Sequence, residues 1–184
     1  MTAQPVRGLR PRHPWQHEVM ALTLRRPAPE DEIAVRALHE QLLRDDFSFV
    51  LDEGTWPEVL AAVDRASRGE DLAPGFVRAE YLLAEVDGEI VGRTSIRYEL
   101  NNHLRRVGGH VGYGVGPAFR RRGYATEILR QSVGRLNAAG VERVLVTCAD
   151  DNAASAATIE ACGGVLENVV PDGDGRPTRR YWIG

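Results

Sequence analysis

The residues of this chain that could do chemistry crowd between 110 and 160. At 120–126 the run RRRGYAT places three arginines and a glycine where the near-alternating stretch HVGYGVGP gives way to a helical pattern. The first turn of a helix leaves backbone N–H groups without intrahelical partners, and the helix dipole adds partial positive charge there. Gly123 removes the Cβ that would hold a ligand at a distance, and Arg120, Arg121 and Arg122 add fixed charge beside those donors. A turn of this kind suits a phosphate or pyrophosphate. Taken by themselves, three adjacent arginines read more simply as a solvated basic patch. The nucleoside-triphosphate pattern GxxxxGK[ST] is missing, and Gly112, Gly114 and Gly116 do not form GxGxxG.

Other chemistries are excluded by what the chain lacks. All 23 basic residues are arginine, so there is no lysine for a Schiff base. Cys148 and Cys162 form no CxxC and have no histidine at metal spacing, which predicts buried thiols in a reducing compartment and no metal site. A net charge of −3 and few aromatic residues argue against a nucleic-acid partner. No apolar run is long enough to span a membrane, and a cytoplasmic protein is expected. Residues 1–20, with Pro5, Pro11 and Pro14 and no apolar segment, read as a loose N-terminal extension and not as a secretory signal.

The elements that must position the 110–160 residues alternate strand and helix across 21–184, read as a single domain. ALTLRR alternates as a strand until Pro27 and Pro29. Val35, Leu38 and Leu42 share a helical stripe, and a second helix opens at Thr55 with Pro57 in its first turn and Glu58 completing a capping box. YLLAEV and EIVGRTSIRYEL flank Asp87-Gly88, the sequence of a type I′ hairpin. GGHVGYGV is a further strand. Ala125, Ile128, Leu129, Val133 and Leu136 form one face of the helix that follows, closed by Gly140. VERVLVTCA has the unbroken apolar character of a buried strand. NAASAATIEACGG is a short helix, and VLENVV and RRYWI are two last strands around PDGDGRPT.

Two motifs in order carry a resemblance. Arg120-x-x-Gly123-x-Ala125, after a strand ending in valine and followed by a helix, resembles the acetyl-CoA signature of the GNAT superfamily of N-acetyltransferases. NAASAATIEACGG resembles the second motif of that superfamily, and GGHVGYGVGP is similar to a bacterial branch of it. The resemblance spans about residues 81–165. It implies an α/β fold with a mixed, mostly antiparallel twisted sheet, two central strands splayed apart at about 109–116 and 141–149, and about four flanking helices. It also implies acetyl transfer from acetyl-CoA to a primary amine of a small molecule or peptide. A non-catalytic acyl-CoA-binding domain of the same fold is the alternative, and either would act as a monomer or a homodimer.

Carried onto this chain, the resemblance assigns the pantetheine arm to backbone groups around Val115. It assigns the pyrophosphate to N–H groups from Arg121 to Thr126, which includes Tyr124 and Ala125. Asn152 would lie near the pantetheine, and it also suits a plain N-cap. Many members carry a tyrosine seven residues after that asparagine to protonate the departing thiolate; here the position is Ile159. Ser155, one turn earlier, is the candidate donor, or else a small residue for helix packing. An amine acceptor must lose a proton, so a base is useful. Alternation puts Val111, Tyr113 and Val115 on one face and His110, Gly112 and Gly114 on the other, where the glycines leave space. His110 is the candidate base, or it ties down the loop entering the strand; Glu99 and Tyr113 are alternative bases or substrate contacts. Asp45, Asp46, Asp52, Glu53, Asp172 and Asp174 lie in the loops expected to meet the acceptor, although acidic loops are usually just solvated. The polar stretch 97–106, with Glu99, Asn101, Asn102 and His103, reads as a loop walling the same side.

Overall fold

The structure is a computed structural model and describes residues 22–45, 47–49 and 54–184. Residues 1–20, Asp46, Asp52 and Glu53 of the expectations above lie outside the described residues.

The chain runs β1 (Thr23–Arg25), α1 (Glu32–Leu42), α2 (Trp56–Arg68), β2 (Ala79–Val86), β3 (Glu89–Arg97), α3 (Asn102–Arg106), β4 (Val111–Val115), α4 (Tyr124–Ala138), β5 (Val144–Ala149), α5 (Ala153–Ala161), β6 (Val165–Pro171) and β7 (Pro177–Ile183). Seven strands form one sheet in the order β1-β2-β3-β4-β5-β7-β6. Every pairing is antiparallel except β4 with β5. The expected mixed, mostly antiparallel sheet is therefore present.

Local chemistry explains several boundaries. Asp87 and Gly88 both take positive φ, 51° and 80°, as a type I′ turn demands, and they join β2 to β3 with Val86 opposite Glu89. Glu58 Oε2 accepts from both the backbone N–H and the hydroxyl of Thr55, fixing the start of α2, and Gly69 at φ 73° ends it. The polar stretch 97–106 is not all loop: Asn101 accepts the Leu104 N–H at 2.9 Å and starts the one-turn α3, whose Leu104 is buried. That makes five α-helices among the described residues, one more than the sequence pattern suggested, because five residues are too few to show a helical period.

The two faces of the sheet bury separate clusters. Tyr81, Leu83 and Ile90 pack under Val35, Leu38, Leu42, Trp56 and Val59 of α1 and α2. Leu82, Ala84 and Ile96 pack against Ile128, Leu129 and Leu136 of α4 and Ile159 of α5. The alternation in β2 thus divides its side chains between the two layers.

Candidate active site

The parallel contact between β4 and β5 is a single pair of partners, Val111 with Val146. At that closed end His110 fastens the strands: its N–H reaches Leu145 C=O at 2.7 Å and its Nδ1 accepts the Leu145 N–H at 2.8 Å. Past Val111 the ladder stops, and the strands bound a cleft of about 1310 Å³. The splay expected of the central strands is this opening.

Which backbone groups face the opening follows from register. β4 bonds β3 through its even residues, from Arg97 N–H to His110 C=O (2.8 Å) at one end to Gly116 N–H to Val91 C=O (2.9 Å) at the other. Antiparallel strands alternate, so Tyr113 and Val115 direct their backbone N–H and C=O toward the β5 side, where no partner strand continues. The Val115 C=O accepts Arg120 Nε at 3.3 Å.

At the mouth, Arg121 (φ 60°) and Gly123 (φ 82°) both adopt the left-handed conformation and wind the chain into α4. Gly123 is the N-cap and supplies no side-chain acceptor, so the first-turn N–H groups of Tyr124, Ala125 and Thr126 keep no partner inside the helix. A Cβ built on Gly123 would meet nothing within 4 Å, so the chain is uncrowded at this glycine. All four residues line the cleft, as do Val115, Arg120, Arg121, Asn152 and Ser155. Arg122 is not among the lining residues; its guanidinium lies 5.9 Å from the Phe119 ring centroid. Asn152 caps α5, its Oδ1 accepting the Ser155 N–H at 3.0 Å, while its amide nitrogen takes no part in that cap.

The proposed proton carriers separate in space. Tyr113 and Ser155 line the cleft and touch across it, hydroxyl to hydroxyl, at 3.0 Å. Burial pushes the Tyr113 phenol up to about 12, opposed by its contacts with Ser155 and Thr158. Ile159 is fully buried and does not line the cleft. Neither His110 nor Glu99 lines it. His110 is 6% exposed, and burial first, then Arg105 and Arg97, hold its pKa below the ordinary value. Asn101, Asn102 and His103 do not line the cleft either. The face cleared by Gly112 and Gly114 is filled: a Cβ on Gly114 would come within 2.5 Å of the Phe47 ring, and Arg97 lies under Gly112.

Of the acidic candidates, Asp45 and Asp172 line the cleft, and both are engaged. Asp45 pairs with Arg120 at 2.5 Å, and Asp172 Oδ1 accepts the N–H groups of Asp174 and Arg176 within its own turn. Sequence reasoning missed Phe47, Asp150 and Asp151 as lining residues. Asp150 bonds Arg179 at 2.7 Å across to β7, a contact made only when β5 and β7 pair.

A family model described as "Acetyltransferase (GNAT) domain" matches residues 21–165. The chain belongs to the GNAT acetyltransferase family. Solved structures with the same fold include the Microcin C7 self-immunity acetyltransferase MccE in complex with acetyl-CoA and AMP. It is 21% identical, covering 88% of this chain and 91% of its own, with a TM-score of 0.61. RimJ of Mycobacterium smegmatis, in complex with CoA-disulfide, is 20% identical over 88% of this chain and 81% of its own, with a TM-score of 0.68. A GNAT-family acetyltransferase from Streptococcus pneumoniae is 18% identical over 89% and 99%, with a TM-score of 0.63. No curated protein matches the sequence. No helix among the described residues is long and apolar enough to cross a membrane, and no cluster of ligating side chains among them could hold a metal ion.

Proposed function

We propose that this GNAT family member transfers the acetyl group of acetyl-CoA to a primary amine of a small molecule or peptide. One observation carries the reading: an uncapped helix terminus and an unpaired strand edge open into the same cleft. The first offers the converging N–H groups of Tyr124, Ala125 and Thr126, with Arg121 beside them, to a pyrophosphate. The second offers the backbone of Tyr113 and the N–H of Val115, whose C=O is taken by Arg120, to an amide-bearing arm, in the way an added strand binds. Acetyl-CoA, when bound, supplies a thioester that an amine can attack. The Val115 N–H is then a fixed donor for the carbonyl oxygen, which gains charge during the attack. Gly123 supports the fit, since it lines the cleft and a Cβ there would meet no protein atom within 4 Å.

The test has two stages. Calorimetric titration with acetyl-CoA should give saturable binding that weakens as salt rises. Release of free thiol should then exceed background with at least one member of a panel of diamines, amino sugars and peptides with free N termini. Absence of acetyl-CoA binding would overturn the reading. Binding with no thiol release across the panel would favour the non-catalytic acyl-CoA-binding alternative.

A further inference from the structure

Arg93 of β3 is 4% exposed, yet no acidic side chain among the described residues pairs with it. Its Nε is buried without a hydrogen-bond partner. Burial pushes its pKa down to about 10, and it stays charged at neutral pH. A charge left in this state costs stability, and an apolar side chain of similar length would cost less. What the guanidinium does hold is the segment that follows α1. It donates to the Ser48 C=O and stands 4.4 Å from the centroid of the Phe47 ring and 5.4 Å from that of Tyr81. Tyr81 in turn donates to the Phe49 C=O, so the sheet fastens three consecutive residues from beneath.

The ring held in this way has a defined place. Gly114 is the β4 partner of Arg93, and Phe47 fills the space a side chain would take there, since a Cβ would lie 2.5 Å from the ring. Gly114 immediately precedes Val115, whose N–H faces the opening. Phe47 lines the cleft and packs with the α1 and α2 layer, whereas Tyr124 and Ala125 at the pyrophosphate turn pack with the opposite layer. The ring therefore stands beside the Val115 donor, on the side away from that turn.

We propose that Phe47 sets acceptor specificity, admitting primary amines on an unbranched methylene and excluding those branched at that carbon, with Arg93 as the positioning residue that holds the ring. This deepens the acetyl-transfer reading above, adding the class of acceptor, and rests on it. In that reading the β4 edge and the pyrophosphate turn hold the cofactor, which leaves the Phe47 side for the amine. The carbon bearing the nitrogen then passes against the ring. A hydrogen fits there in van der Waals contact, whereas a methyl group must push the ring back onto Gly114 and Arg93, where no space remains. The ring has no hydrogen-bonding group, so the exclusion is steric. Its attraction to a desolvated guanidinium is stronger than the same contact at an exposed site.

The test uses two non-reacting probes, the propylamide and the isopropylamide of S-carboxymethyl-coenzyme A, which place a linear or a branched carbon next to the amide nitrogen. Dissociation constants for both, and for coenzyme A itself, are measured by calorimetry on wild type, Phe47→Ala, Arg93→Met and Arg93→Lys, with a thermal melt of each. Wild type should bind the propylamide at least about tenfold more tightly than the isopropylamide. Phe47→Ala should bring the two within about twofold. Arg93→Met should lose most of the preference, and Arg93→Lys, which keeps the cation, less of it. Coenzyme A should bind every variant within about twofold of wild type, because it does not reach the ring. Equal affinities for the two probes in wild type, or a preference that survives Phe47→Ala, would overturn the role of the ring. An undiminished preference in Arg93→Met would overturn the role of the arginine; should that variant fail to fold, Phe47→Ala decides. Coenzyme A affinity that falls in step with the preference would place the ring on the cofactor and overturn the proposal as well. Failure of the wild type to bind coenzyme A would overturn the acetyl-transfer reading itself, so the two failures are distinct.

Discussion

At the scale of single residues, Arg121 and Gly123 do opposite things with the same backbone geometry. Both hold positive φ, 60° and 82°. Glycine adopts that region without penalty, whereas an L-residue with a Cβ gives up roughly 1–2 kcal/mol there. Arg121 therefore carries strain at the cleft mouth, in the segment whose N–H groups converge. Replacing it with glycine relieves the strain but returns about 0.5–1 kcal/mol through a floppier unfolded chain. The net expectation for Arg121→Gly is a melting temperature unchanged or raised by roughly 1–4 °C, with acetyl-CoA affinity lowered at low salt and nearly equal to wild type at high salt. Gly123→Val should do the reverse: it strains a β-branched residue and puts methyl groups in the open space before the donors, so binding is lost at every salt concentration. Calorimetry at two ionic strengths with a thermal melt checks both, and normal affinity in Gly123→Val would remove the pyrophosphate site from this turn. That Gly123 and the three arginines stand at the turn into α4 was legible in the sequence, because the helical pattern begins directly after them. The left-handed arginine was not, since no residue preference marks it.

At the scale of elements, α5 shows why a motif transfers incompletely. Asn152 and Ser155 stand on the cleft side, whereas Ile159, seven residues after the asparagine, turns into the core under the α4 layer. Gly164 packs so closely on it that a Cβ there would lie 2.5 Å from Ile159 Cγ2. A phenol cannot be restored at this position by substitution alone. Ile159→Tyr should destabilise the protein by about 1–3 kcal/mol through overpacking, and it should leave acetyl transfer no faster than wild type. A melt and a thiol-release assay on that variant check this, and a faster enzyme at unchanged stability would show that the side chain can reach the cleft. The strand and helix order, the Asp87-Gly88 turn and the Thr55–Glu58 cap were readable because each depends on neighbours in sequence. Two features depend on partners far along the chain and were not readable: Phe47 filling the face cleared by Gly114, and Asp150 held by Arg179.

At the scale of the whole molecule, the cleft exists because two strands join at one end and part at the other, so the join must hold. His110 is that join. Its Nδ1 accepts the Leu145 N–H, a bond that an imidazolium could not accept, and the ring is 6% exposed beside Arg97 and Arg105. Burial first, then Arg105 and Arg97, depress its pKa below the ordinary value of about 6.5. The sign of the pH effect follows. Above pH 6.5 the histidine is neutral in folded and unfolded chains alike, and its contribution to stability is complete. As pH falls below that value the unfolded chain takes up a proton that the folded chain refuses, so stability drops until the folded histidine is itself protonated. One group changes stability by at most about 1.4 kcal/mol per pH unit in this window. His110→Asn places a carbonyl oxygen where Nδ1 was, keeps the acceptor for Leu145 N–H and cannot titrate. Between pH 6.5 and 5.5 the wild type should therefore lose up to about 1 kcal/mol more stability than His110→Asn, seen as roughly 2–4 °C in the difference between their melting curves. If His110 serves the fold in this way, the pH profile of kcat/KM should keep its acidic limb in the variant. Loss of that limb at matched stability would return His110 to the reaction as its base.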